Sequence, residues 1–381
     1  MIKPEPVEEH HALFRATCLR FAKERIAPHA EAWEEAELFP RALYGEAGAA
    51  GILGAGFPEA YGGSGEDVLL PLMAVEGLLR GGSSGVVAGL QSLGIALPPI
   101  LRLGDEAQKR RWATPAIAGD AVAALAITEP GTGSDVAGIR TRARQDGGDY
   151  IIDGAKLFIT SGVRADFVTV LCRTGEDPHG GLTFFVVEKG TPGFSASRSL
   201  KKTGWRASDT AELAFDGVRV PAANRLGAEG SGFVNLMQNF QGERLALAFF
   251  GHATAEIALE DAIAYARERE AFGRPIAKFQ VTRHKLASMA TRLMAARALN
   301  YQVARRVAAG QVIVPEVSMA KNFAAEVAVS VTHDAVQILG GMGYMRETRV
   351  ERLSRDARLL PIGGGTTEVM NELIARYGLG L

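Results

Sequence analysis

Only two cysteines occur in 381 residues, Cys18 and Cys172, and they lack the spacing of a metal or redox site. Both read as small core or near-surface residues. An excess of either charge is also missing, with 42 Lys and Arg against 43 Asp and Glu. A nucleic-acid binder would carry a basic excess to neutralise phosphates, so that class is disfavoured, although local basic pockets remain open. Long apolar runs are scarce: stretches such as Ala123 to Ile127 and Phe184 to Val187 fall well short of the roughly 20 residues that cross a bilayer. No membrane span is expected. The first ten residues are acidic and carry two prolines, unlike a signal or transit peptide, so a cytoplasmic location is expected. The histidines give no ligand spacing, since His10 and His11 form a terminal pair and His252, His284 and His333 stand alone. No metal site is expected.

What is present is an ordinary globular composition, 47% hydrophobic and 22% charged, on a chain long enough for two or three domains. Apolar residues recur at three- and four-residue spacing through Leu13–Glu35, Arg41–Gly51, Glu66–Arg80 and Val86–Arg102, which predicts helices over residues 1–118. Between 119 and 228 the texture changes to short runs rich in Val, Ile, Phe and Thr, bounded by Gly and Asp. Ala121–Thr128, Tyr150–Thr160, Phe167–Cys172, Leu182–Glu188 and Ala211–Val220 are the expected strands. Over 229–381 the helical period returns in long segments, Phe233 to about Glu270, Val281 to about Gly310, Glu316–Leu339 and about Thr366–Arg376. Pro315 suits a first helical turn, and Gly340-Gly341 a helix end. The fold class is therefore α+β, in α–β–α order.

The stretch Thr128-Glu-Pro-Gly-Thr-Gly-Ser134-Asp closes a strand-like run with hydroxyls and glycines, which lets a backbone approach a ligand closely. By itself it reads equally well as a plain connector. Thr160 is a second hydroxyl at a strand end, Arg269 a bidentate fork, and Gly363-Gly-Gly365-Thr366 a glycine loop before a helix. The loop lacks the Lys-Ser/Thr ending of a nucleotide phosphate loop.

Five segments in order resemble the acyl-CoA dehydrogenase flavoproteins: Thr128–Asp135, Gly154–Gly162, Lys202–Leu213, Arg269–Gln280, and Gln337–Tyr344 continuing to Arg355–Arg358. The resemblance implies a helical N-terminal domain, a middle β-barrel and a C-terminal four-helix bundle, with FAD as cofactor. It would put Thr128, Ser134 and Thr160 on the flavin ring, Phe158 against it, and Thr366 and Glu368 nearby. Arg269, Phe272 and Gln280 would reach the FAD of a neighbouring subunit, while Gln337 and Gly341 contact its adenosine half. A homotetramer, an acyl-CoA substrate and electron-transfer flavoprotein as electron acceptor are implied with it. Ser134, Val234, Gln241, Gly363 and Gly364 are the candidate substrate-binding positions.

Gly364 stands where many members of that family have their catalytic Glu. Long-chain and isovaleryl types carry the base instead on the first bundle helix, where this chain has Glu243-Arg244, so Glu243 is the expected base and Arg244 the residue holding its geometry. Gly242 beside them would admit a ligand at a cost of roughly 1 kcal/mol against Ala. A solvent-facing Glu-Arg pair is the plain alternative. Glu129 reads as a turn residue and Asp135 as a local cap. Two rival functions remain on the same residues: an oxygen-using flavin oxidase of the acyl-CoA or nitroalkane type, and an acyl-CoA-binding scaffold that has lost its base.

Overall fold

The computed structural model describes residues 5–381. Among the described residues nine α-helices come first: α1 Glu9–Phe21, α2 Ala30–Ala36, α3 Ala42–Ala49, α4 Leu69–Leu79, α5 Ser84–Gln91, α6 Leu93–Ala96, α7 Pro98–Leu103, α8 Glu106–Gln108 and α9 Thr114–Ala118. Helix α4 is apolar almost all round and is buried on nearly every side, as such composition requires. It crosses α1 closely, because a Cβ on Gly77 would lie 2.6 Å from the Cβ of Cys18. Cys18 and Cys172 are free and buried, and burial pushes both thiols up to about 12.

One segment corrects the expectation about apolar runs. Ser84–Leu103 has the length and mean hydropathy, 1.5, of a membrane span. It is divided into α5, α6 and α7 at Ser92 and Leu97, and 61% of it is buried inside the protein, where it forms core.

The middle of the chain is one eight-stranded sheet: β1 Ala123–Ala126, β2 Arg142–Asp146, β3 Asp149–Thr160, β4 Phe167–Arg173, β5 Leu182–Glu188, β6 Phe194–Ser199, β7 Thr210–Pro221 and β8 Arg225–Leu226. The order is β6-β7-β3-β2-β4-β5-β8, with β1 added parallel to β4. The sheet has its own core of Ala126, Tyr150, Ile152, Val170, Phe185, Leu213, Phe215 and neighbours, and its strand order leaves β6 and β8 as edges, so the expected barrel is seen as an open sheet. Strands β2 and β6 were not expected. Their residues are largely exposed and polar, so no apolar alternation marks them.

The chain then forms α10 Gly232–Glu268, a short hairpin of β9 Glu270–Ala271 and β10 Arg274–Pro275, α11 Gln280–Ala308, α12 Val314–Leu339, α13 Arg349–Ala357 and α14 Thr367–Ile374. At 37 residues α10 runs about 55 Å. It lies tightly on α12, since a Cβ on Gly251 would stand 2.7 Å from the carbonyl of Ala324. Pro315 occupies the first turn of α12 and Gly340 ends it at φ 59°. Helix α13 was not expected, because five of its nine residues are charged.

Two carboxylates, the half-buried Glu76 and the buried Asp356, join the regions. Glu76 on α4 accepts from His252 on α10, Tyr301 on α11 and Arg15 on α1 at 2.8, 2.8 and 3.1 Å. Asp356 on α13 accepts from the backbone N–H of Trp205 at 2.7 Å, in the loop before β7, and lies near Glu34 of α2. Burial and the Glu34 charge push Asp356 up to about 7. A carboxyl raised in the fold keeps its proton after the unfolded chain has lost it, so the cost is absent below about pH 4, accumulates as pH rises from there, and is complete above about 7. Asp356→Asn is accordingly expected to gain more at pH 8 than at pH 5, by on the order of 2–3 kcal/mol, read from urea midpoints at the two values.

Candidate active site

The turn Thr128–Ser134 follows directly from β1 and is held from beneath by a buried ion pair. Lys156 on β3 is fully enclosed; its Nζ donates to the carbonyl of Ile127 at 2.8 Å and to Glu129 Oε1 at 3.0 Å. Glu129 also accepts from the backbone N–H of Arg140 and Thr141 at 2.7 and 2.8 Å, so it organises the turn as expected. These partners and the Lys156 charge outweigh burial and hold its carboxyl below the ordinary range. Asp135 is not a side-chain cap: its backbone carbonyl receives the hydrogen bond from Gly138, and no side-chain cap bond forms.

The backbone N–H of Leu157 donates to the carbonyl of Thr128 at 2.8 Å, fastening β3 to the turn. Register against β7 slips between Lys156 and Ile159, and within that bulge Phe158 adopts φ 62° and leaves its ring 64% exposed. An aromatic residue held at a left-handed φ with its face bare is a strained arrangement that fits a planar ligand better than solvent. Thr128 and Thr160 are half-buried and Ser134 is exposed, while Gly131 has nothing within 4 Å of where a side chain would project. Asp209, in the Gly-Trp segment, accepts from Val163 N–H at 2.8 Å and Arg164 Nε at 2.6 Å, and so fixes the turn after Thr160.

Glu243 projects from α10 against the loop before α14. Gly364 in that loop has φ 65°, and a Cβ there would collide with Leu247 while standing 3.6 Å from Glu243 Oε1. A side chain at 364 would therefore enter the space that the Glu243 carboxylate uses. Burial pushes Glu243 up to about 7, against the opposing charges of Arg244 and Lys321. It is not a solvent-facing pair: Arg244 is buried. Nor does Arg244 hold the carboxylate, as expected from sequence. Its Nε donates to the carbonyl of Gly364 at 3.3 Å, and its guanidinium lies 5.5 Å over the Phe240 ring. Gly242 is open, with nothing near its missing side chain.

Thr366 accepts from Val369 N–H at 3.3 Å and caps α14, with Gly363 just before it and Glu368 exposed in its first turn. The Glu368 carboxyl is held below the usual range by the hydrogen bonds of that turn. Val234 and Gln241, seven residues apart, share one stripe of α10, whereas Glu243 lies about 200° round the helix from Gln241. The structure therefore does not bring these two substrate candidates to Glu243, although Gln241 Oε1 is buried without a partner. Arg269, Phe272, Gln280, Gln337 and Gly341 are all exposed. No hydrogen bond or ion pair among the described residues ties them to the Thr128 turn. Phe272 is 97% exposed at φ 52°.

Sequence reasoning missed Lys321. On α12 it interrupts a buried stripe of Val317, Ala320, Ala324, Ala325 and Ala328, and a lysine inside an apolar helical stripe was the available signal. It also missed a cluster at the start of α1. There one donor atom from each of Glu8, His10 and His11 lies within 4.8 Å of the others, and Asp67 accepts from His10 and His11 at 3.1 and 2.8 Å.

The family models for the acyl-CoA dehydrogenase N-terminal, middle and C-terminal domains match residues 8–120, 124–218 and 230–379. An acyl-CoA dehydrogenase of Bacillus subtilis is 41% identical over 376 residues, 98% of this chain and 99% of that protein. The long-chain specific mitochondrial acyl-CoA dehydrogenase of Sus scrofa is 39% identical over 369 residues, covering 96% of this chain and 86% of that one. Among solved structures, a probable acyl-CoA dehydrogenase from Mycobacterium abscessus superposes with a TM-score of 0.96 at 49% identity, covering 97% and 99% of the two chains. A glutaryl-CoA dehydrogenase from Mycobacterium smegmatis in complex with FADH2 gives 0.91 at 31% identity, covering 98% and 96%. With three domain models in order and relatives matching almost end to end, the chain belongs to the acyl-CoA dehydrogenase family, and is an enzyme of flavin-dependent acyl-CoA dehydrogenation.

Proposed function

We propose that the chain converts an acyl-CoA thioester to the trans-2-enoyl-CoA, with Glu243 as the base that removes the α proton. The observation that carries this reading is the convergence of Glu243 and the side-chain direction of Gly364 on one place. FAD is the cofactor, and when bound it supplies the two-electron acceptor for the hydride leaving the β carbon. Thr128, Ser134, Phe158 and Thr160 are the residues that would hold its ring, with Thr366 and Glu368 at the edge of the same site. Gly363 and Gly364 would leave room for the thioester beside Glu243.

The chemistry required of this chain is then limited. Glu243 must be ionised when substrate arrives, must accept the proton at a carboxylate oxygen, and must give it up after product leaves. An ordinary carboxyl, near pH 4.3, is a weak base for an α proton; a value raised to about 7 narrows that gap while leaving a usable ionised fraction at neutral pH.

Three domains divided near 118 and 228 belong to this proposal, as does a homotetramer. The bare Phe272, with Arg269 and Gln280 at the same end of α10 and α11, would then lie against the FAD of a neighbouring subunit, with Gln337 and Gly341 near its adenosine half. Electron-transfer flavoprotein is the proposed electron acceptor. The test separates it from oxygen: anaerobic addition of acyl-CoA is expected to bleach the flavin, and aerobic turnover to form little hydrogen peroxide. Peroxide formed one-for-one with substrate would place the enzyme among the oxidases. A panel of straight and branched acyl-CoA thioesters, scored by bleaching rate, sets the acyl preference.

A further inference from the structure

Two consecutive carbonyls of the loop before α14 are each taken by a cation from a different helix. Arg244 on α10 donates to the carbonyl of Gly364, and Lys321 on α12 donates to that of Gly365 at 2.6 Å. Both glycines have φ in the left-handed region, 65° and 95°, so the peptide units are turned in a way that few residues tolerate. The neighbour of Lys321 completes the hold: Asn322 donates to the carbonyl of Thr367 at 3.1 Å and to Asn371 Oδ1 at 2.9 Å. Helix α12 thus grips the turn on both sides of the Thr366 cap.

A lysine only 1% exposed is uncommon and costly unless its charge is matched. Among the described residues a single carbonyl is its hydrogen-bond partner, and the charges acting on it are Arg244, Glu243 and Glu368. From this placement we infer that Lys321 is a positioning residue for the reaction. It locks the Gly364–Gly365 turn so that the space beside Gly364 stays open to the Glu243 carboxylate, and while protonated it supplies a positive charge that favours the ionised form of that base. This rests on the assignment of Glu243 as base.

The charges bearing on Glu243 are Arg244, on its own helix, and Lys321, on α12; Glu368 on α14 acts on Lys321. Burial and Arg244 push Lys321 down to about 8, so near neutral pH it is still mostly cationic. Removing that charge leaves Glu243 with less compensation for its burial, and its proton affinity rises. Activity requires ionised Glu243, so the acidic limb of the rate profile must move toward higher pH.

The experiment compares anaerobic flavin bleaching by an acyl-CoA across pH 5.5–9 in the wild type, Lys321→Met, Lys321→Arg and Glu243→Gln, all loaded with FAD. In Lys321→Met the acidic limb is expected to move up by about one pH unit, which lowers the rate at pH 7 by about five- to sixfold and approaches tenfold only at lower pH. Lys321→Arg keeps the charge and is expected to return the limb toward the wild-type position. A second readout does not depend on turnover: an infrared titration of the protonated carboxyl band that is lost in Glu243→Gln should shift in the same direction in Lys321→Met. Should Lys321→Met fail to fold, Lys321→Gln carries the same comparison. A rate lowered equally at every pH, with the limb and the infrared titration unmoved, would make Lys321 a merely structural lysine and overturn the inference. Undiminished bleaching in Glu243→Gln would overturn the base assignment itself, and the inference with it. Loss in Glu243→Gln with an unmoved limb in Lys321→Met overturns the role of Lys321 alone.

Discussion

Glu243→Gln is expected to lower the rate of anaerobic flavin bleaching by 10²–10⁴-fold, the span typical of losing a positioned general base. Gln is nearly isosteric, so the expected loss isolates the proton-accepting oxygen. Flavin content and absorbance should remain those of the wild type, and acyl-CoA should still bind, detectable as a perturbation of the flavin spectrum without bleaching. The physical ground is that Glu243 Oε1 stands 3.6 Å from where a side chain at position 364 would begin. The wild-type rate should rise through a pH near 7, the value to which burial brings Glu243, and not near the ordinary carboxyl value of about 4.3. Bleaching in the Gln variant at the wild-type rate, with flavin bound, would send the search for the base elsewhere.

The second large effect is expected from Lys156, which makes no contact with solvent. Lys156→Met removes the charged partner of Glu129 and one donor to the Ile127 carbonyl, leaving a buried carboxylate with only the neutral donors of Arg140 N–H and Thr141. Breaking a buried pair on one side costs about 3–5 kcal/mol, because the remaining charge keeps its desolvation penalty. The loss should be read as a lowered urea midpoint. Since Glu129 ties Arg140 and Thr141 to the turn that begins at Thr128, the same variant should release FAD more readily, measured by recovery of free flavin fluorescence on dilution. Glu129→Gln combined with Lys156→Met is expected to regain part of the stability, since both charges are then gone. If Lys156→Met unfolds at the wild-type urea concentration, the ion pair is not what holds the turn.

Legibility in the sequence followed the strength of local patterns. Helices α10, α11 and α12 were readable because long amphipathic runs, Pro315 and Gly340 mark them. Strands β3, β4, β5 and β7 were readable because β-branched and aromatic residues concentrate there. Strands β2 and β6 were hidden by polar, exposed composition, and α13 by its charge, since these elements form through pairing and packing with partners distant in the chain. Arg244 shows the same limit at one residue. Adjacency to Glu243 invited a pairing with it, yet the helix turns about 100° between neighbours, and the guanidinium reaches the Gly364 carbonyl instead.

By itself the sequence determined the order of helical and strand regions, the family through five ordered segments, and the pairing of an absent carboxylate at 364 with a present one at 243. These are properties of local composition and spacing, which the chain carries wherever it goes. Only the tertiary structure decided that positions 243 and 364, 121 residues apart, address one place, and that Lys321 and Arg244 hold the loop between them. Burial, and the cost of leaving a charge or a carbonyl unmatched within it, arise from which surfaces meet; no stretch of sequence contains both sides of that contact.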